Sequence, residues 1–377
     1  MQKYAFLLWR EPSLSLAEIE SVFWEYIQLD TFALVQTDKE NIEKYKNSLW
    51  WTIKIALIHE EWVKKNNLAP LIVKKIAEKA QEGKKLRIGI DTFVPALKSL
   101  VFKVKDALKE QWCSIRVVQH DNGRTKTATT IHEKLIEQGM ELVLYADRAW
   151  FTIAETIWIQ DIESYSQRDM DRDRSMTVGM MPPKIAQIMI NLATKWEKNL
   201  VIWDPFCGLG TTLIEALHAG FSQLRWSDLE TKMVETTKKN IESQKIWAQA
   251  DIETFALNAI QLDTYIAPEN TVIVTEWMLG KNFTTQTISQ QLAFQERKVL
   301  TELYTGFLSS AYKNKNIKNM CFCLPFWNIG NEILYMPEIG ALSRDWSVEN
   351  LCIKGKRYLF HMRPGQCVGR EIVLLRR

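Results

Sequence analysis

The residues with the clearest capacity for chemistry lie between 204 and 276. Asp204-Pro205-Phe206-Cys207-Gly208-Leu209-Gly210-Thr211-Thr212 sets an acid and an aromatic ring ahead of two closely spaced glycines and two threonines. Glycine lets the backbone turn tightly and approach a ligand, and a helix starting at Thr211 or Thr212 adds its N-terminal amides. By itself this pattern fits a plain strand-to-helix turn equally well. Competing nucleotide loops fit less well. A Walker loop ends in Gly-Lys-Ser/Thr, but Gly210 is followed by Thr211; a dinucleotide fingerprint wants a third glycine where Leu213 stands. Asp204 repels a pyrophosphate and attracts a cation carrying an ammonium and a sulfonium, as a methyl donor does. Further acids follow at Asp228, Asp251 and Glu276, each 23 to 25 residues after the last. Asp228 suits ribose hydroxyls and Asp251 the amino group of an adenine. Phe206, Gly208, Gly210 and Thr211 complete the candidate donor site.

These acids must be positioned by strands. The apolar run Leu200–Trp203 ends at Asp204, and a helix is expected from Thr212 to Ala219, closed by Gly220. A strand from Gln223 ends at Asp228, a helix spans Lys232 to Glu242, a further strand ends at Asp251, and Val272–Thr275 ends at Glu276. Repeated strand–helix units imply a parallel sheet, whose ligands bind beyond the carboxyl ends of the strands. A helical region from about 287 to 312 and strands at Met320–Leu324, Arg357–Phe360 and Ile372–Leu375 complete the expected sheet. Ahead of it, apolar positions in Ile185–Ala193 recur at helical spacing after Pro182-Pro183. The earlier chain is α+β: strands at Tyr4–Leu8 and Phe32–Val35 with a helix from Leu16 to Ile27, capped by Ser15 with Glu18, then strands and helices from Trp50 to Ile159. Between Gln160 and Met181 periodicity lapses; Arg168, Arg172 and Arg174 lie there in a run of alternating charge, which is either a solvated linker or a phosphate contact.

At 377 residues the chain is long enough for two or three cores, and 46% hydrophobic with 25% charged residues is the usage of a globular protein. A net charge of +3 neither demands nor excludes nucleic acid. No apolar run approaches the roughly 18 residues of a membrane helix, and Met1–Arg10 reads as a first strand rather than a leader. Cysteines at 113, 207, 321, 323, 352 and 367 form no CxxC pair, and with only five histidines no metal site is expected. Reduced thiols in a cytoplasmic protein are the expectation.

The loop at 204–212 resembles that of methyltransferases acting on exocyclic amines of nucleic-acid bases, in particular the THUMP-domain tRNA guanine 2-amino methyltransferases. Arg10-Glu11-Pro12 with Leu16–Ile19 resembles that family's opening, and Thr52-Ile53-Lys54-Ile55 and Glu141-Leu142-Val143-Leu144 resemble its THUMP region. Gln160-Asp161-Ile162, Arg168-Asp169 and Pro182-Pro183-Lys184 with Ala186–Ile188 resemble its linker and the helix before the sheet; Arg363-Pro364, Gln366 and Val368–Glu371 resemble its closing strands. The resemblance implies an α/β chain: a ferredoxin-like region (1–48), a THUMP-like RNA-binding domain (49–160), a linker (161–175) and a Rossmann-like methyltransferase domain with a mostly parallel seven-stranded sheet (176–377). It implies S-adenosyl-L-methionine as cofactor, a guanine of tRNA as acceptor and no membrane. Oligomeric state is not implied. A DNA amino-methyltransferase and an RNA-binding protein that keeps a donor pocket without catalysis are the competing readings. Lys84, Lys85, Lys103, Lys105, Arg116, Arg168, Arg172 and Lys184 are the candidate RNA contacts.

One motif departs from the family. Asp/Asn-Pro-Pro-Tyr/Phe is expected after the fourth strand, where an oxygen accepts amine protons and a ring stacks on the flipped base. Here Thr275-Glu276-Trp277-Met278 stands instead. Glu276 either accepts from the amine or only orders its loop, and Trp277 offers a ring. Tryptophan is also anomalous: 15 Trp equal 15 Gly. Trp9, Trp50, Trp51, Trp158 and Trp226 stand where turn chemistry or the resemblance leads to glycine. Either the source reads UGA as glycine, or the protein packs an unusual number of indoles.

Overall fold

The apolar runs at strand spacing pair into two separate sheets. A computed structural model describes residues 1–9, 11–80, 84–111, 114–118, 123–163, 181–244, 247, 250–281, 283–330, 332–349 and 359–377. The chain divides into one unit of Met1–Ser15 with Phe23–Asp161 and another of Leu16–Val22 with Ile162–Arg377.

The first unit contains β1 (Gln2–Leu8), β2 (Ile27–Leu29), β3 (Phe32–Thr37), β4 (Thr52–Val63), β5 (Leu86–Thr92), β6 (Ile115–Val118), β7 (Gly139–Asp147) and β8 (Trp150–Ile159). Their order is β2-β3-β1-β4-β8-β7-β5-β6. One sheet therefore runs through both regions expected before residue 160, because β1 pairs antiparallel with β4, Ala5 opposite Ala56. Helices Leu68–Lys79 and Leu100–Glu110 bury Ile72, Ile76, Val104 and Leu108 with Ile88, Ile90, Leu142 and Leu144. The helix expected at 16–27 lies at Pro12–Phe23, and Ile27 begins β2. Proline, with its preset φ and no N–H, suits a helix's first turn, so the start falls at Pro12. Ser15, expected as the cap, instead donates to the Trp51 carbonyl at 2.5 Å.

The second unit contains β9 (Val201–Asp204), β10 (Gln223–Asp228), β11 (Asp251–Ala256), β12 (Thr271–Glu276), β13 (Ile317–Ile329), β14 (Glu332–Tyr335), β15 (Ser347–Val348), β16 (Leu359–His361) and β17 (Val368–Arg376). Its sheet is mixed and nine-stranded, not a mostly parallel sheet of seven. β11, β10, β9, β12 and β13 are parallel in that order, while β14 and β17 pair antiparallel with β13, and β15 and β16 with β17. The change of direction coincides with the loss of long helical crossovers: a parallel neighbour needs a dozen or more connecting residues, an antiparallel one only a turn. The long helix Gln290–Lys313 covers one part of this sheet, burying Leu300, Tyr304, Phe307 and Leu308 with Ile273, Met320 and Phe322. Helix Pro183–Thr194 follows the expected apolar spacing and is buried along nearly its whole length. Among the described residues no helix is long and apolar enough to cross a membrane.

The first unit's core holds charge. Lys54 on β4 is buried, and its Nζ donates to Asp91 Oδ2 at 3.1 Å, to Glu141 Oε1 and Oε2 at 2.9 and 3.0 Å, and to the Thr125 carbonyl at 3.0 Å. Glu141 also accepts from the Thr130 and Thr156 hydroxyls, each at 2.6 Å, and Asp91 from Arg124 Nε at 2.6 Å. Removing one partner of such a network leaves buried charge uncompensated, at a cost of about 3–5 kcal/mol. Lys54→Met should therefore lower the stability of the chain by about that amount, read as a drop in the urea midpoint. An unchanged midpoint would show that the cluster is not a structural ion network.

Candidate functional site

Three of the four expected acids gather on one rim. β9 ends at Asp204, β10 at Asp228 and β12 at Glu276, and these strands are parallel neighbours, so their carboxyl ends face the same way. The chain leaves Asp204 through a turn in which Gly208 and Gly210 adopt φ of +52° and +83°, a left-handed region favourable to glycine. The two glycines do different work. A Cβ at Gly210 would lie 2.9 Å from Thr237 Cγ2, so this glycine lets the loop pack on helix Thr231–Glu242. A Cβ at Gly208 would meet nothing nearer than the Phe206 carbonyl oxygen at 3.9 Å, leaving an open cradle. Gly208 N–H donates to Asp228 Oδ2 at 3.2 Å, while Thr237 Oγ1 and Asn240 Nδ2 donate to the Gly208 and Leu209 carbonyls, each at 2.9 Å. Helix Thr211–His218 begins at once, and its first amides have no intrahelical acceptor.

Asp204 is buried and held from three sides. Its Oδ1 accepts from Thr275 Oγ1 at 2.5 Å and from Phe206 N–H at 3.1 Å, and the Thr212 hydroxyl bonds to the same carboxylate. Burial, reinforced by the charge of Asp228, pushes its pKa up to about 7 against the lowering effect of those hydrogen bonds. Burial also raises the Cys207 thiol, so this cysteine is no ready nucleophile.

A cavity of about 660 Å³ opens over this rim, within the roughly 300–1,000 Å³ usual for small-molecule and cofactor sites. Phe206, Gly208, Thr211, Asp228 and Glu276 line it as expected, with Asp204 at its floor. Gly210 stands behind the wall. Asp251 is the expectation that fails: it begins β11 instead of ending it, and its 63% exposed side chain pairs with Arg225 Nη2 at 2.9 Å. The residue that lines the cavity just beyond β11 is Asn258, whose side chain also accepts from Ile260 N–H at 3.2 Å.

Glu276 is not alone at the end of β12. Arg370 on β17 reaches it with Nε to Oε1 at 2.5 Å and Nη2 to Oε2 at 3.4 Å, and both residues line the cavity. Burial alone would lower the Arg370 pKa, but the charge and hydrogen bond of Glu276 outweigh it and raise it. Sequence reading missed this partner, although Arg370 stood within a quoted motif. Trp277 cannot stack on a ligand: its ring is buried, parallel to Phe322 at 4.1 Å and packed on Tyr304 and Phe307. The loop after it is tied down where Tyr304 OH donates to the Met278 carbonyl at 2.6 Å and Lys281 N–H to Glu296 Oε1 at 3.2 Å.

Among the described residues, none of the expected RNA contacts lines the cavity. Lys84 and Lys85 precede β5; Lys103 and Lys105 lie on helix Leu100–Glu110; Arg116, on β6, pairs with Glu133 at 3.0 Å; Lys184 lies in the first turn of helix Pro183–Thr194. Arg168 and Arg172 fall outside the described residues, as do Cys113 and Cys352. Cys207, Cys321, Cys323 and Cys367 are free and buried. Among the described residues no group of three His, Cys, Asp or Glu is arranged to hold a metal.

Parallel strands that end in an acid–glycine loop, a second acid and a third acid thus surround one cavity. Residues 172–321 match the family model described as RMKL-like, methyltransferase domain. Within that class, two curated relatives share the name tRNA (guanine(10)-N2)-dimethyltransferase. The Methanocaldococcus jannaschii protein is 28% identical over 142 residues, 38% of this chain and 40% of that protein. The Methanothermobacter thermautotrophicus protein is 30% identical over 174 residues, 46% of each. The chain thus spans less than half the length of the curated relatives it matches. The crystal structure of TrmN from Thermus thermophilus covers 100% of both chains at a TM-score of 0.52 and 13% identity, a likeness of fold.

The raised pKa of Asp204 has a definite sign in stability. The folded state binds the proton more tightly than the unfolded chain, so the stabilisation is complete below the unfolded pKa near 3.8 and is lost as pH rises to about 7. Relative to Asp204→Asn, which keeps an acceptor but cannot titrate, the wild-type Tm should fall over that interval and level off above it. Parallel melting curves across the range would refute this assignment.

Proposed function

We propose that this chain transfers the methyl group of S-adenosyl-L-methionine to the exocyclic amine of a guanine in tRNA. The observation that carries the reading is that one cavity holds a glycine cradle with acids at two neighbouring strand ends and, across from them, a carboxylate held in place by an arginine. The residues fit the donor. Asp204 and Asp228 supply negative charge for its cationic groups, Gly208 and the amides at Thr211 supply close backbone approach, and Asp228 and Asn258 offer partners to ribose and adenine. S-adenosyl-L-methionine supplies an electrophilic methyl group on a positively charged sulfur. The chain's part is alignment. Glu276 Oε1 is engaged by Arg370, so Oε2, the less tightly held oxygen, accepts a hydrogen bond from the amine N–H and turns the nitrogen toward the donor side.

The choice of tRNA is supported by the names of the two relatives and by the resemblance of residues 49–160 to a THUMP domain, preceded by a ferredoxin-like region (1–48) and followed by a linker (161–175) to the catalytic domain (176–377). In that arrangement Lys84, Lys85, Lys103, Lys105, Arg116, Arg168, Arg172 and Lys184 meet phosphates, and the chain works in the cytoplasm.

Labelled methyl groups from the donor should enter unmodified total tRNA and not duplex DNA. Incorporation into DNA alone, or none into tRNA, would overturn the acceptor assignment. Glu276→Ala, which removes both acceptor oxygens, should lower that rate roughly 10²-fold, the scale of losing one hydrogen bond made to the reacting group, with donor affinity unchanged. A rate within twofold of wild type would place Glu276 outside the reaction.

A further inference from the structure

The backbone contradicts three of the tryptophans. Among the described residues eight non-glycine positions have positive φ, and three of them are Trp24 (+65°), Trp62 (+59°) and Trp196 (+67°). Tryptophan supplies only 15 of 377 residues, and a bulky L-residue pays a steric penalty in this region. Two of the three sit in motifs that ask for glycine. Trp24 directly follows helix Pro12–Phe23, the position where helices most often close on a left-handed glycine. Trp196 follows helix Pro183–Thr194 after Lys195, itself left-handed. Trp62 lies inside β4 where the pairing with β8 slips between Glu60 and Val63, a bulge of the kind that a left-handed glycine makes. Trp24 and Trp62 are 75% and 63% exposed, Trp62 standing edge-on to Trp150 with ring centroids 6.5 Å apart.

We infer that residues 24, 62 and 196 are glycine in the natural protein, inserted at UGA codons that its source reads as glycine, not tryptophan. Such a reading also answers the composition, since 15 glycines in 377 residues is about half the usual share. The five positions singled out from sequence are not the ones the backbone marks. Trp226 is fully buried with Nε1 donating to the Val234 carbonyl at 3.3 Å, and Trp9 and Trp51 have ring centroids 4.9 Å apart. There the codon alone decides. The inference concerns translation and is independent of the proposed reaction.

The test is the gene's codons at the three positions together with mass spectrometry of peptides from the protein isolated from its own source. UGA codons with glycine masses are expected. Tryptophan masses there, from UGA or UGG, overturn the inference. Variants supply a second arm in the chain as printed. Trp24→Gly, Trp62→Gly and Trp196→Gly should each raise the folding equilibrium constant severalfold, whereas Trp24→Ala, which keeps a Cβ on left-handed backbone, should not. Alanine matching glycine would show that losing an exposed indole, rather than the backbone, explains the gain, and would count against the inference.

Discussion

One buried hydrogen bond couples the two sides of the site. Thr275 Oγ1 reaches Asp204 Oδ1 because β9 and β12 are direct neighbours, Trp203 opposite Ile273. Asp204 starts the glycine loop and Thr275 immediately precedes Glu276, so the bond joins that loop to the strand end carrying Glu276 through a single contact. A carboxylate in so dry a place is costly, and its raised pKa measures that cost. The bonds from Thr275, Phe206 and Thr212 offset part of it. In return the turn has a fixed departure from β9, and the distance between the two loops is set by the strand spacing of a sheet, the stiffest ruler the fold has.

Much of this was legible in the sequence where an apolar run, an acid and a glycine or helix signal coincide. β9, β10 and β12 satisfy that condition and end at the expected acids. β11 does not. It is the outermost strand of its sheet, half exposed along its length, so no apolar run marks its extent and a count of intervals assigned Asp251 to the wrong end. Asn258, two residues past the strand, carried no signal because an asparagine before a turn is ordinary chain punctuation. The partner of Glu276 was hidden for another reason: 94 residues separate it from Arg370, and only the strand order β12-β13-β17 brings them together. The antiparallel strands β14 and β15 escaped for want of periodicity, having four and two residues, whereas β16 overlaps the strand expected at 357–360.

Lys54 and Glu141 show that residues chosen by resemblance can have a purely structural reason. Both were quoted as part of an RNA-reading region, where a lysine invites thoughts of phosphate. In the structure they face each other inside the sheet, on β4 and β7, with Asp91 of β5 completing the cluster. Their charges are spent on one another and on Thr125, Thr130 and Thr156. The motif lysine therefore serves the scaffold and is not available as a phosphate contact.

The pairing of Glu276 with Arg370 has a consequence for how the proposed reaction sorts its two ligands. A lone carboxylate at the acceptor position would compete with Asp204 and Asp228 for the cationic donor, since a cation does not distinguish one acid from another at equal distance. Arg370 removes that ambiguity. The pair is close to neutral as a whole, so this side of the cavity has little net attraction for a cation, while Oε2, held only by the longer 3.4 Å bond, keeps capacity to accept from a neutral amine. Charge then draws the donor to the glycine cradle, while directional hydrogen bonding selects the amine opposite it. Glu276 thus takes a different task from Asp204 and Asp228 in the same cavity because Arg370 is within its reach.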